Sequence, residues 1–294
     1  MDRARNPAEA AATYARFVKF EHTLFSLPLI VAGGLIGDHV LRHAGAPGAL
    51  TPGRLLLIFV AAAGARTFAL AMNRIIDHRL DAANPRTSGR ELPSGRMGLP
   101  EAWGVAAGGA AAYWTAAAFL PPICLALSPI PIVVFVGYPY LKRFTPLCHF
   151  GVGLGLALSP LGGFLGVAGS WRGLDRVLPL FVFALFWVSG FDIIYATLDE
   201  AHDRAHGVRS LPATAGRAAA LRVSAALHAL AFASLGVWAM IQGAGPWAWA
   251  CLAAVGALLW WEQHAAQQVE LAFFRINSGL GFVVLALVWA GVAL

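Results

Sequence analysis

Nine runs of roughly twenty mainly apolar residues decide what this chain can fold into. They lie near residues 22 to 42, 54 to 76, 101 to 120, 122 to 141, 148 to 168, 177 to 198, 217 to 241, 246 to 262 and 272 to 294. A hydrocarbon core about 30 Å thick is crossed by about 20 residues of helix. Of the 294 residues, 59% are hydrophobic and 12% charged, against about a quarter charged in soluble domains. A single soluble core is therefore excluded. The expectation is an all-α membrane protein with one domain over residues 1–294 and nine transmembrane helices. Pro121 and Pro122 between the third and fourth runs predict a tight turn at a membrane face.

Basic residues set the orientation. With the amino terminus cytoplasmic, fifteen Lys and Arg fall on that side: Arg3, Arg5, Arg16, Lys19, Arg79, Arg86, Arg90, Arg96, Lys142, Arg143, Arg204, Arg209, Arg217, Arg222 and Arg275. Only Arg42, Arg54, Arg172 and Arg176 fall opposite, as the positive-inside rule requires. The first run follows a polar stretch with no small-residue cleavage pattern and reads as a mature helix. The net charge of +6 is spread over short interhelical loops, so no nucleic-acid surface is expected. Cys124, Cys148 and Cys251 stand alone in apolar runs and read as buried thiols.

Against this background the acidic residues stand out. In NRIIDHRLD, Asn73, Asp77 and Asp81 recur every four residues and project from nearly one helix face. In DIIYATLDEAHD, spacings of three, four and four put Asp192, Tyr195, Asp199 and Asp203 on one predicted helical stripe. Two such combs facing each other suit hard cations and a polyphosphate. Like charges at this spacing repel and call for a compensating cation. Arg66 lies seven residues before Asn73, about 10 Å deeper at 1.5 Å per residue. Asp192 is likewise seven residues from Asp199, and an Arg66 to Asp192 pair is the expected floor of a polar cavity. The loop over residues 82 to 100 brings Arg86, Arg90 and Arg96 beside the acids as a candidate lid. Lys142 and Arg143, with Tyr138 and Tyr140, are placed at the same mouth. Lys19, Glu21 and His22 read as interfacial anchors or as contacts to an anionic ligand. His202 and His206 have a zinc-pair spacing, but the oxygen-rich surroundings favour Mg²⁺. Glycines in the fifth run suit close helix packing. The result is a central, carboxylate-lined cavity open to the cytoplasm and, laterally, to lipid. A secondary transporter coupled through Arg66 and Asp192 is the alternative class.

NRIIDHRLDAANPRTSGRELPSG, GYPYLKRFT and DIIYATLDEAHDRAHGVRS resemble the signature segments of the UbiA superfamily of intramembrane prenyltransferases. The resemblance extends over nearly the whole chain. It implies that a polyprenyl group passes from a prenyl diphosphate to an aromatic acid, and that membrane lipid surrounds the reaction. Asn73, Asp77, Asp81, Asp199 and Asp203 would then hold two Mg²⁺ ions bridging the diphosphate. Arg90, Lys142, Arg143 and Arg209 would neutralise its oxygens, while Arg66, Asp192 and Tyr195 form the catalytic group, with Arg66 and Asp192 orienting the acceptor. Where the ubiquinone-type pattern often reads Asn-Asp, this chain has Arg74 after Asn73. The acceptor stays open between 4-hydroxybenzoate, for ubiquinone, and a dihydroxynaphthoate, for menaquinone. The implied location is a bacterial inner membrane, with the site facing the cytoplasm.

Overall fold

The computed structural model describes residues 13, 14, 16, 17, 26–266 and 276–293. Arg3, Arg5, Lys19, Glu21, His22 and Arg275 of the sequence reading lie outside them. Among the described residues there is no strand. Helices lie over the apolar runs: α1 (Ser26–His43), α2 (Pro52–Ala83), α3 (Leu99–Phe119), α4 (Pro122–Leu127) with α5 (Pro129–Leu141), α6 (Cys148–Ala168) and α7 (Leu174–Ala196). The short helices α8 (Glu200–Ala205) and α9 (Leu211–Ala215) follow, then α10 (Arg217–Gln242), α11 (Pro246–His264) and α12 (Asn277–Ala293). Among the described residues, five segments are long and apolar enough to cross a bilayer: α2, α4 with α5, α6, α7 and α10.

The beginning of α2 is set locally. Thr51 accepts a hydrogen bond from the Arg54 N–H at 3.3 Å, and Pro52 occupies the first turn, where its missing N–H costs nothing. Its 32 residues span about 48 Å, well beyond a hydrocarbon core of about 30 Å. The excess carries Asp77 and Asp81 past the apolar zone. The fourth run, expected as one helix, breaks at Ser128 instead. Pro129 has no N–H to continue the ladder, and Ser128 Oγ donates to the Leu125 carbonyl at 2.8 Å.

The main core joins α1, α6, α7, α10, α11 and α12 around Phe183, Trp187 and Trp238, all fully buried. Phe183 stacks on Trp187 with ring centroids 5.3 Å apart. Trp187 Nε1 donates to Asn277 Oδ1 at 2.8 Å, and Asn277 Nδ2 donates to Glu262 Oε1 at 2.8 Å. These two bonds tie α7, α11 and α12 together inside the apolar layer, where partners for polar groups are scarce. A second cluster, including Met72 and Met97, seats α2 against α3 and the loop between them.

Glycine sets the α1–α6 distance. A Cβ on Gly33 would run into the Pro160 carbonyl, and one on Gly163 into the Ile30 carbonyl. Gly163→Val is therefore expected to lower stability by about 1–3 kcal/mol. Thermal unfolding in detergent checks this; an unchanged midpoint would show that α1 and α6 do not depend on this close approach.

Candidate functional site

Two cavities meet at one end of the bundle. The larger, about 510 Å³, runs between α2, α3, α5, α6 and α7, and its wall is mainly apolar. Along α2 its lining extends from Ile58 to Arg74, about 24 Å of helix at 1.5 Å per residue. Its polar lining on α2 and α7 comprises Arg66, Asn73, Arg74, Asp192 and Tyr195. The smaller cavity, about 210 Å³, is lined by Asp77, Asp81, Asp199 and Asp203. Asn73, Arg90, Tyr138, Val152, Asp192 and Tyr195 line both.

The α2 comb keeps its predicted periodicity. Asn73 Nδ2 donates to Asp77 Oδ2 at 3.1 Å, one turn on. The second comb is not one continuous stripe, which corrects the expectation. α7 ends at Ala196, and the Thr197, Leu198 and Asp199 amides bond three residues back, to Ile194, Tyr195 and Ala196. Thr197 Oγ1 also donates to the Ile194 carbonyl at 2.7 Å. This tightened turn ends α7, so Asp199 stands at the position just before the short α8 and Asp203 lies within it. Asp192, Asp199 and Asp203 reach the same cavity from two helices.

Every one of these carboxylates except Asp203 has a described Lys, Arg or His nitrogen within 4 Å. Lys142 Nζ lies 2.5 Å from Asp77 Oδ2, and Arg143 Nη2 is 3.6 Å from Asp77 Oδ1. Arg90 Nη1 donates to both oxygens of Asp81, at 2.7 and 2.8 Å. Arg74, deeper on α2, lies 3.9 Å from the same carboxylate. Asp203 accepts from the Ser210 hydroxyl at 2.7 Å. Arg209 points elsewhere: its Nη1 donates to the Phe144 carbonyl at 3.2 Å, and it does not line either cavity.

Sequence reasoning missed three participants. Arg86, expected as a topology charge or as part of a lid that turns one or two arginines onto phosphate oxygens, crosses instead from the loop after α2 to the other comb. It donates to both oxygens of Asp199, and Nη1 donates to Tyr195 Oη at 2.8 Å. Asn84 Nδ2 adds a bond to Asp199 Oδ1 at 2.8 Å. His149 Nδ1 lies 2.7 Å from Asp192 Oδ2. These partners make the acids unequal. Burial alone would push Asp199 up, but the Arg86 and Asn84 hydrogen bonds outweigh it and hold the carboxyl below the usual carboxylate range. Asp203 moves the other way, because burial outweighs its Ser210 bond.

The donor set fits a hard divalent cation. All four acids and Asn73 offer oxygen, and Asp77 Oδ1 is buried without a hydrogen bond. Among the described residues no three acidic, His or Cys side chains close on one point. That openness suits a small cation that shares its shell with phosphate oxygens, and not one enclosed by protein alone.

Comparison with known proteins places this arrangement. Residues 40–291 match the UbiA prenyltransferase family. The 4-hydroxybenzoate octaprenyltransferase of Paracidovorax citrulli is 28% identical over 276 residues, 90% of this chain and 85% of that protein. The apo structure of a UbiA homolog from Aeropyrum pernix has a TM-score of 0.80 and 32% identity, covering 93% of this chain and 97% of that one. The structure of a UbiA homolog from Archaeoglobus fulgidus bound to DMAPP and Mg²⁺ has a TM-score of 0.69 at 17% identity, covering 96% and 99%. At that identity the likeness is one of fold.

Proposed function

The chain belongs to the UbiA prenyltransferase family and is a prenyltransferase in an integral membrane fold, and from that premise we propose the acceptor, the metal and the orientation. It transfers a polyprenyl group from a prenyl diphosphate to an aromatic acid of the 4-hydroxybenzoate kind, with Mg²⁺, in quinone biosynthesis. All nine apolar segments span the bilayer, of a bacterial inner membrane, and the acidic cavity faces the cytoplasm.

One observation carries this reading: a carboxylate-lined cavity of about 210 Å³ opens into an apolar cavity of about 510 Å³. A substrate with a small, highly charged head and a long hydrocarbon tail matches that pair. That the Paracidovorax relative is a 4-hydroxybenzoate octaprenyltransferase supports the choice of acceptor.

Asn73, Asp77, Asp81, Asp199 and Asp203 would hold Mg²⁺. When bound, the metal supplies charge neutralisation that makes diphosphate a better leaving group. Lys142 and Arg90 reach the same cavity and turn their charge onto diphosphate oxygens. Arg143, beside Asp77, and Arg209, beside Phe144, extend the positive field at the rim. Arg66 pairs with the acceptor's carboxylate, and Asp192 holds its ring hydroxyl. Tyr195 closes the boundary between the two cavities. The apolar wall around the reacting carbon keeps water from intercepting it.

The test is a competition assay on membranes containing the protein, with a long-chain prenyl diphosphate, Mg²⁺, 4-hydroxybenzoate and 1,4-dihydroxy-6-naphthoate. Prenylated 4-hydroxybenzoate is the expected product, lost on chelation by EDTA and regained with Mg²⁺. Transfer that survives chelation would remove the metal from the mechanism. A preference for the naphthoate would reassign the acceptor, and transfer to neither acid would overturn this reading.

A further inference from the structure

His149 stands in the first turn of α6, is 3% exposed, and makes two hydrogen bonds that fix its ring. Nδ1 is 2.7 Å from Asp192 Oδ2, and the Leu211 N–H donates to Nε2 at 3.1 Å. A backbone N–H can only donate, so Nε2 is the accepting nitrogen. The proton of the neutral ring therefore sits on Nδ1 and points at Asp192. One oxygen of Asp192 is thereby committed to the imidazole, while the residue lines both cavities.

The second bond leads toward the metal ligands. Leu211 follows Ser210, whose hydroxyl donates to Asp203 Oδ2 at 2.7 Å. One path thus runs from Asp203 through Ser210 and the Leu211 amide to His149 and Asp192. It joins the diphosphate end of the site to the acceptor end.

We propose that His149 is a positioning residue for the acceptor: it holds Asp192 in the rotamer that receives the aromatic acid and ties that rotamer to the segment carrying Asp203. The inference rests on the aromatic-acid reading above. It gives His149 no contact with the reacting atoms.

Two conservative variants separate its two bonds. In His149→Asn the amide nitrogen takes the place of Nδ1 and keeps the donor to Asp192. In His149→Gln the amide oxygen takes the place of Nε2, keeps the acceptor for Leu211 and loses that donor. His149→Gln is expected to raise KM for the aromatic acid by about tenfold, the usual size for a lost hydrogen bond to a charged group. KM for the prenyl diphosphate should not move, and His149→Asn should stay within about twofold of the parent protein. In an Asp192→Ala background His149→Gln should add nothing further, because the interaction it removes is already gone. A full additional loss in that background, or equal changes in both KM values, overturns the proposal. Nitrogen-15 NMR of the unsubstituted, histidine-labelled protein gives a readout that needs no substrate and no variant. A protonated Nδ1 and bare Nε2 at His149 are expected; the opposite tautomer overturns the proposal, whatever the acceptor proves to be.

Discussion

Asp77→Asn is expected to reduce Mg²⁺-dependent prenyl transfer on the order of 10³-fold, about 4 kcal/mol of transition-state stabilisation. The isosteric change is chosen because Asp77 is buried and lies 2.5 Å from Lys142. Truncation to Ala would leave that ammonium against an empty space and confuse a folding defect with a chemical one. The amide keeps the shape and can still accept from Lys142. What it loses is the negative charge that a divalent cation requires. Initial rates at saturating prenyl diphosphate, titrated with Mg²⁺, should show a collapsed maximum rate, with a thermal midpoint in detergent close to that of the parent. A rate within tenfold of the parent at unchanged metal dependence would exclude Asp77 as a ligand.

Arg66→Ala carries the second large effect, on the other substrate. Arg66 lines the apolar cavity and not the acidic one. There a guanidinium–carboxylate pair forms in a poorly screened setting, and truncating one partner of such a pair costs about 2–5 kcal/mol. KM for the aromatic acid should therefore rise by about a hundredfold, while KM for the prenyl diphosphate stays near its starting value. Measuring each KM at saturation of the other substrate makes the comparison. An equal rise in both would place Arg66 in a role common to the two substrates and remove it from acceptor recognition.

The parts of this site that the sequence disclosed are those governed by local periodicity. Asn73, Asp77 and Asp81 follow the helical repeat, and the structure preserves it because α2 runs unbroken through them. The apolar runs likewise located the helices, since bilayer thickness imposes their length. What escaped depends on contacts between distant residues. Arg86 reaches Asp199 across 113 positions and His149 reaches Asp192 across 43, and neither spacing carries a periodic signal. The end of α7 escaped for a different reason. Its acidic spacing continues past Ala196, but three short-range amide bonds and the Thr197 hydroxyl tighten the backbone there. A pattern of side chains does not reveal a change in backbone pitch.

The long apolar wall that follows α2 from Ile58 to Arg74 also bears on how the enzyme meets its substrates. With the aromatic acid proposed above as acceptor, one reactant would arrive dissolved in water and the other dissolved in lipid, so they would be counted in different units. The acid obeys an ordinary molar concentration, whereas the isoprenoid is governed by its mole fraction among the surrounding lipids. Adding inert lipid at fixed protein and isoprenoid would dilute only the second. Each turnover moves a ring out of the aqueous pool, and the attached tail keeps it in the two-dimensional one.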